Sequence, residues 1–335
     1  MARESNTCSH RSRGAGELGT APRHLAEGLG LVAASPAQRW TTGPVVRERA
    51  RVSRAVCVIA RAASVALRLA PGRGDRRLFL SYAVEVPSAE EFDSSTFWMA
   101  DAYAARLQLA GLAPALAAPP WDWLSGVDRQ LLGRDVVSTT LDQVPPGRMF
   151  CKPASLELVG APAGVWDVQE FRRAALADGA DERLQVQHCR QLLDLDHEHR
   201  FVVSEGQVLT GSPYRVAGRA WSPSLRSDRS PEAAVFAAEA VLALGPDCPP
   251  VCSLDVAWDR GGRRWLVVEA NPLWASGPCA CHPVAFVEAV DHAGTAGAGR
   301  WAWRAEATRL ARARAVEPIV AVGQARASGH VEFAG

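Results

Sequence analysis

Apolar positions along this chain recur with two different spacings, and the two alternate. Compact apolar or alternating runs at residues 77–84, 113–118, 135–140, 148–153 and 183–188 read as strands. A three-to-four spacing predicts helices over 96–109, 121–133, 167–178 and 230–244. In the first of these Phe97, Ala100, Tyr103, Ala104 and Leu107 share a side and Gly111 stops the helix. In the third, Val168, Phe171, Ala175 and Leu176 do the same. The last is punctuated by Ser230 as its cap, Pro231 at its first position and Gly245-Pro246 at its end. Two hairpins stand out. Residues 200–204 and 207–210 flank the two-residue turn Glu205-Gly206, and residues 252–258 and 264–270 flank Asp259–Gly262. Strands interleaved with helices imply an α/β layer architecture.

At 335 residues the chain has room for about two domains, and 48 % hydrophobic with 22 % charged residues excludes collagen-like, coiled-coil and wholly disordered chains. A net charge of +1 argues against nucleic acid as a partner. No apolar run of about 18 residues appears, so no membrane span is expected. Charge is unevenly placed, however. Residues 1–75 carry twelve Arg and five acids and show no sustained period. They read as a disordered tail, or as translated sequence ahead of the true start. Their one apolar piece, 52–69, is broken by Arg54, Arg61 and Arg68 and also fits a basic amphipathic helix. It is not a secretory signal, because it begins late and arginines interrupt it. Pro145-Pro146-Gly147 marks a boundary. The expected organisation is therefore a tail (1–75), a small α/β domain (76–145), a larger domain (146–293) and a poorly specified C-terminal stretch (294–335). Eight scattered cysteines without an export signal point to free thiols in a reducing cytoplasm. Cys248, Cys252, Cys279, Cys281 and His282 invite a zinc reading, but their spacing is not that of a zinc knuckle.

Three features bear on chemistry. Lys152 is the only lysine among 37 basic Lys and Arg residues, and it ends an apolar strand ahead of Pro153. A site that keeps Lys in so Arg-biased a chain calls for a compact ammonium instead of a planar fork, as nucleotide phosphates do. Second, folding the 252–270 hairpin about Gly262 sets Asp255 opposite Glu269, with Asn271 two residues on and so on the same face. Leu266, Val268 and Ala270 would then point the other way. Two carboxylates and an amide suit a hard divalent ion such as Mg²⁺. Third, Arg200 opens an apolar strand after Asp194, Asp196, His197, Glu198 and His199. An Arg there can grip a phosphate or carboxylate through two N–H groups. The acids and histidines before it read as a solvated turn, and only weakly as a metal site.

Together, Phe150-Cys-Lys152-Pro153, Glu198-His-Arg200-Phe-Val-Val, Ser253-Leu-Asp255-Val-Ala and Val267-Val-Glu269-Ala-Asn271-Pro-Leu-Trp274-Ala-Ser-Gly277 resemble the ATP-grasp superfamily. They are most similar to its compact bacterial and phage members, several of which are predicted peptide ligases. The resemblance spans about residues 78–290. It implies an α/β (α+β) fold in which two lobes grip ATP, preceded by a small α/β pre-domain. It implies that Lys152 contacts ATP phosphates and that Gln187, on the stretch 185–190, lies near adenine. Arg200 would face the γ-phosphate or an acyl phosphate, and Asp255, Glu269 and Asn271 would hold Mg²⁺. There is no second lysine, and the loop 157–164, with Gly160 and Gly164, is a modest counterpart of the family's Gly-rich loop. Residues 274–277 would shape the acceptor side.

The resemblance implies a ligase that uses ATP to activate a carboxylate for attack by an amine, with small-molecule or peptide substrates. The other readings are an ATP-grasp phosphotransferase, a nucleotide-binding module without ligase activity, and a zinc-held interaction domain. The acid, the acceptor and the oligomeric state are not legible in the residues.

Overall fold

The computed structural model describes residues 55–59, 78–80, 92, 95–112, 115–154, 158–220, 222, 224–306 and 309–310. Its strands fall into three sheets. The first is parallel, with β1 (Ala55–Ile59) between β2 (Leu78–Leu80) and β3 (Ser95–Met99). Two expectations change here. Ala55–Ile59 is a strand, although it lies in the stretch read as a disordered tail or amphipathic helix. Thr96–Met99 is a strand too, not the first turn of a helix. Phe97 and Met99 are β-compatible residues that alternate into the core. The helix α1 begins at Asp101 and runs to Leu109 (Asp101–Leu109). Residues 81–84, the rest of 1–75 and the tail beyond Leu310 lie outside the described residues.

The chain then crosses a short helical turn at Trp123–Gly126 and α2 (Arg129–Leu132), which together replace the single helix expected over 121–133. The stretch 115–118 forms only one bridge, Ala117 to Ala302, instead of a strand. A four-stranded antiparallel sheet follows, built from β4 (Val137–Thr140), β5 (Arg148–Pro153), β6 (Gly164–Asp167) and β7 (Gln185–Cys189) in the order β4-β7-β5-β6. Helix α3 (Val168–Ala177) covers one face, and its N-terminal N–H groups are capped by the Asp167 side chain. Met149, Cys151, Val186 and Phe171 form the core between them.

The largest sheet is antiparallel, in the order β10-β9-β8-β11-β12. Its strands are β8 (Leu195–Ser204), β9 (Gln207–Val216), β10 (Arg219–Ala220), β11 (Val251–Asp259) and β12 (Arg264–Asn271). Glu205 and Gly206 both adopt positive φ in the β8–β9 turn, which matches the right-handed strand twist. Helix α4 (Ser230–Leu244) packs on one face, burying Ala237 and Val241 against Phe201, Val203, Leu254 and Val256. Ser230 does not cap it. Its hydroxyl donates to the Ser227 carbonyl and also meets His199 Nε2 at 3.1 Å. Val202 and Val251 face the opposite way, into a cluster with Phe97, Trp274 and α5 (Pro283–Ala293). That second face, where α5 leaves it uncovered, is the one that carries Arg200 and Asp255.

Candidate active site

Alternation decides which side chains of the two antiparallel sheets can meet. On β5 and β7, Met149, Cys151 and Val186 point to α3, so Phe150, Lys152, Gln187 and Cys189 point the other way. Lys152 is the cross-strand neighbour of Gln187, and Phe150 of Cys189. On β8, Phe201 and Val203 point to α4, which turns Arg200 to the free face. On β11, Leu254 and Val256 do the same for Asp255. These two faces meet at a narrow cleft lined by Leu124, Arg134, Phe150, Lys152, Gln187 and Glu269, among others.

The hairpin register agrees with the sequence at the site and departs from it beyond. Asp255 pairs with Glu269 and Ser253 with Asn271, as folding about Gly262 requires. Past Asp255 the register shifts, so that Val256 pairs with Val267. Val268 is the extra residue of this β-bulge. In consequence Trp265 and Val267 enter the core, with Ala270 packed beside them, while Val268 lines the cleft next to Glu269. The expected inward set of Leu266, Val268 and Ala270 therefore holds at Ala270 but not at Val268.

Five of the candidate residues form one continuous chain of contacts. Lys152 Nζ donates to Glu269 Oε2 across the cleft. Asn271 Nδ2 donates to Glu269 Oε1 at 2.7 Å and approaches Asp255 Oδ2 at 3.5 Å. Arg200 meets Asp255 through two parallel bonds, Nε to Oδ1 at 2.8 Å and Nη2 to Oδ2 at 2.7 Å. Its Nη1 approaches the Gly277 carbonyl at 3.4 Å. The sixth candidate, Gln187, lines the same cleft and donates from Nε2 to the Trp121 carbonyl at 2.7 Å.

The electrostatics follow from burial and pairing. Asp255 is fully buried, and burial pushes its carboxyl up to about 6 against the pull of Arg200. Burial also penalises the Glu269 carboxylate, but Lys152, Asn271 and Arg200 outweigh it and hold that carboxyl down at about 2. The carboxylate with the ammonium partner and 23 % exposed surface keeps its charge more firmly than its enclosed neighbour. Arg200 is held cationic by Asp255 in spite of its own burial.

Sequence reasoning missed Arg134. It is 8 % exposed, and its guanidinium donates to the carbonyls of Leu132, Val267 and Val268 at 2.9–3.3 Å. It ties the segment entering the small sheet to the strand that carries Glu269. Nothing marks it among so many arginines. Tyr214 was also missed. Its ring lies 5.4 Å from the Arg200 guanidinium carbon, and its hydroxyl donates to Glu198 Oε2 at 2.6 Å.

Other candidates do not join this centre. His197 contacts the Ser227 hydroxyl, and His199 is buried beneath α4. Asp194 pairs with Arg260 on the surface. Cys248 and Cys252 pack in the α4 core, whereas Cys281 belongs to the α5 cluster. Among the described residues no group of three or more His, Cys, Asp and Glu side chains gathers as a metal cage, and no helix is long and apolar enough to cross a membrane.

Residues 131–289 match a family model described as an ATP-grasp domain. This segment is an ATP-grasp domain. It contains Lys152, Arg200, Asp255, Glu269 and Asn271, and it joins the four-stranded and five-stranded sheets as the two lobes of that fold. Solved structures with similar chains include D-alanine–D-alanine ligase from Bacillus anthracis complexed with ATP. It is 11 % identical, at a TM-score of 0.40 over 72 % of this chain and 96 % of that one. N5-carboxyaminoimidazole synthetase from Staphylococcus aureus is 9 % identical, at 0.42 over 71 % and 77 %. L-amino acid ligase from Bacillus licheniformis is 11 % identical, at 0.40 over 65 % and 68 %. No curated protein matches the chain. The family match, not these distant likenesses, carries the assignment.

Proposed function

We propose that this ATP-grasp domain belongs to an ATP- and Mg²⁺-dependent ligase that activates a carboxylate as an acyl phosphate for attack by an amine. The observation that carries the proposal is the unbroken contact chain from Lys152 through Glu269, Asn271 and Asp255 to Arg200, at the mouth of a cleft between two sheets. Cations stand at both ends and oxygen donors in the middle, an order suited to a polyphosphate and its metal.

The donor set fits Mg²⁺. Asp255 and Glu269 offer carboxylate oxygens and Asn271 an amide, all from one hairpin face. Asn271 now presents its amide N–H to both carboxylates, so its side chain must turn over to offer Oδ1. Bound Mg²⁺ would offset charge on the transferring phosphoryl group. The remaining roles belong to the chain. Lys152 meets the phosphates as a point charge. Gln187, with its amide nitrogen committed to Trp121, faces the base end of the cleft together with neighbouring backbone. Arg200 has five N–H groups, of which two go to Asp255 and one to Gly277. The two left, one on each terminal nitrogen, grip the γ-phosphate and then the acyl phosphate, keeping the activated carboxylate in line for the amine.

In this reading residues 76–145 with β1 precede the catalytic domain, which runs over 146–293. Among the described residues Cys151, Cys189, Cys248, Cys252 and Cys281 are buried free thiols, which suits a reducing compartment such as the cytoplasm.

Trapping tests the reaction class. The protein is incubated with ATP, Mg²⁺ and hydroxylamine against a panel of amino acids and short peptides. Carboxylate-dependent release of ADP with matching hydroxamate is expected. ADP release that no carboxylate raises above the level of Asp255→Asn would contradict the ligase reading.

A further inference from the structure

Arg200 is fixed on its edge by Asp255, but a planar guanidinium held along one edge can still tilt about that edge. Tyr214 stands beside the group: Arg200 Cζ lies over the Tyr214 ring, 5.4 Å from its centroid. Strand order makes this placement informative. Across the large sheet the free face presents Glu269 on β12, Asp255 on β11, Arg200 on β8 and Tyr214 on β9. Lys152 and the nucleotide cleft lie at the Glu269 end. Tyr214 therefore closes the row beyond Arg200, on the side away from Lys152.

Tyr214 is itself anchored. Its hydroxyl donates to Glu198 Oε2 at 2.6 Å, and Glu198 is 8 % exposed. The other Glu198 oxygen lies 3.3 Å from Arg215 Nη1. A carboxylate so enclosed, with a second cation behind it, holds the ring in one rotamer. Burial, Asp255 and Glu198 all push the Tyr214 hydroxyl well above its ordinary range, so it stays a donor. The ring face then meets Arg200 as a cation–π partner, in surroundings where water screens little.

We propose that Tyr214, held by Glu198, is a positioning residue that fixes the plane of Arg200 and thereby makes the site discriminate a nucleoside triphosphate from a diphosphate. The inference rests on the nucleotide reading of the cleft. Its chemistry is specific to the third phosphate. Lys152, Gln187 and the metal donors serve ATP and ADP alike, whereas the two uncommitted N–H groups of Arg200 lie past them, where only a γ-phosphate reaches. Loosening Arg200 should cost ATP its advantage and leave ADP nearly unaffected.

Calorimetric titration of MgATP and MgADP into the full chain tests this, comparing wild type, Tyr214→Leu, Tyr214→Phe and Glu198→Leu. Wild type is expected to prefer MgATP. Tyr214→Leu should lower that preference by roughly 5- to 30-fold, the span of a partly desolvated cation–π contact. Affinity for MgADP should stay within about twofold. Tyr214→Phe, which keeps the ring but loses its anchor, and Glu198→Leu should each lose part of the preference. If Tyr214→Leu does not fold, Tyr214→Phe carries the test, since it changes one hydroxyl on a partly exposed side chain. Equal losses for both nucleotides would mark Tyr214 as merely structural and overturn the proposal. An unchanged preference, or a wild type that binds both nucleotides equally, would overturn it too. A wild type that binds neither nucleotide would overturn the nucleotide reading itself, and this inference with it.

Discussion

Lys152, on the small sheet, is ion-paired with Glu269, on the large one, although 117 positions separate them in sequence. The pair spans the cleft and sets the only lysine of the chain against a carboxylate of the hairpin. Each side chain keeps only 23 % of its surface exposed, so removing Lys152 leaves the Glu269 carboxylate largely buried with Asn271 as its remaining close partner. Lys152→Ala should therefore cost about 1–3 kcal/mol of stability. Its affinity for MgATP should fall roughly 10- to 100-fold, as expected for a lost charge-assisted contact. Lys152→Arg should not restore it, because a planar fork is not a compact ammonium. Denaturant unfolding and calorimetric titration read the two effects separately.

Removing donors from the hairpin should act on the metal. Glu269→Gln with Asn271→Ala leaves Asp255 as the one carboxylate of the set. The expected outcome is that Mg²⁺ no longer strengthens nucleotide binding, while metal-free ATP binds no worse than to wild type. Titrations of ATP with and without Mg²⁺ measure the difference, and retained Mg²⁺ enhancement would remove this hairpin from the metal site.

Arg134 should matter to the frame. Arg134→Met would leave the carbonyls of Leu132, Val267 and Val268 short of a donor in a buried place. A loss of about 2–4 kcal/mol is expected from such unsatisfied groups. Urea unfolding followed by circular dichroism checks it, and an unchanged midpoint would show that water replaces the guanidinium.

A close approach on the large sheet gives an independent test of packing. Gly211 lies opposite Phe201, and a Cβ at Gly211 would stand 2.3 Å from two atoms of that ring. Gly211→Ala should cost about 1–3 kcal/mol through overpacking. Adding Phe201→Leu should recover part of the loss, so the double variant should be less destabilised than the sum of the singles.

His199 predicts a pH dependence. It is 1 % exposed, sits among Phe201, Trp265 and Ser230, and burial holds its pKa below the ordinary value. The unfolded chain therefore binds a proton near pH ~6.5 that the folded chain resists. The neutral ring contributes stability that is present above that pH and is lost as pH falls through it. Tm should drop between about pH 7.5 and 5, and His199→Gln should show a shallower drop. Parallel slopes would mean that other groups cause the acid sensitivity.

Much of this was legible in the residues because it depends on short-range rules. Turn chemistry at Glu205-Gly206 set one hairpin. Counting about Gly262 placed Asp255 against Glu269, and period-two alternation put Asn271 on the same face. What stayed hidden depends on partners far away in sequence. The bulge at Val268 cannot be read from alternation, since a single extra residue inverts every later inference. Thr96–Met99 looked helical because Phe97 and Ala100 also satisfy a three-residue spacing. Its parallel pairing with Ala55–Ile59 decides otherwise, and that strand lies in an apolar piece whose interrupting Arg54, Arg61 and Arg68 gave it a helical spacing. Arg134 and Tyr214 carry no local mark; only the meeting of two sheets and the order of strands β9 and β8 give them roles.

The most direct test of the account is the thermal shift of the full chain with ATP alone, Mg²⁺ alone and both together, for wild type and Lys152→Ala. A ligand that binds only the folded state raises Tm by mass action. The account predicts a clear rise for wild type with ATP and Mg²⁺ together, a smaller one with ATP alone, and a markedly reduced rise for Lys152→Ala at the same ligand concentration. No rise for wild type under any condition, or an equal rise in the variant, would contradict a nucleotide site built around Lys152.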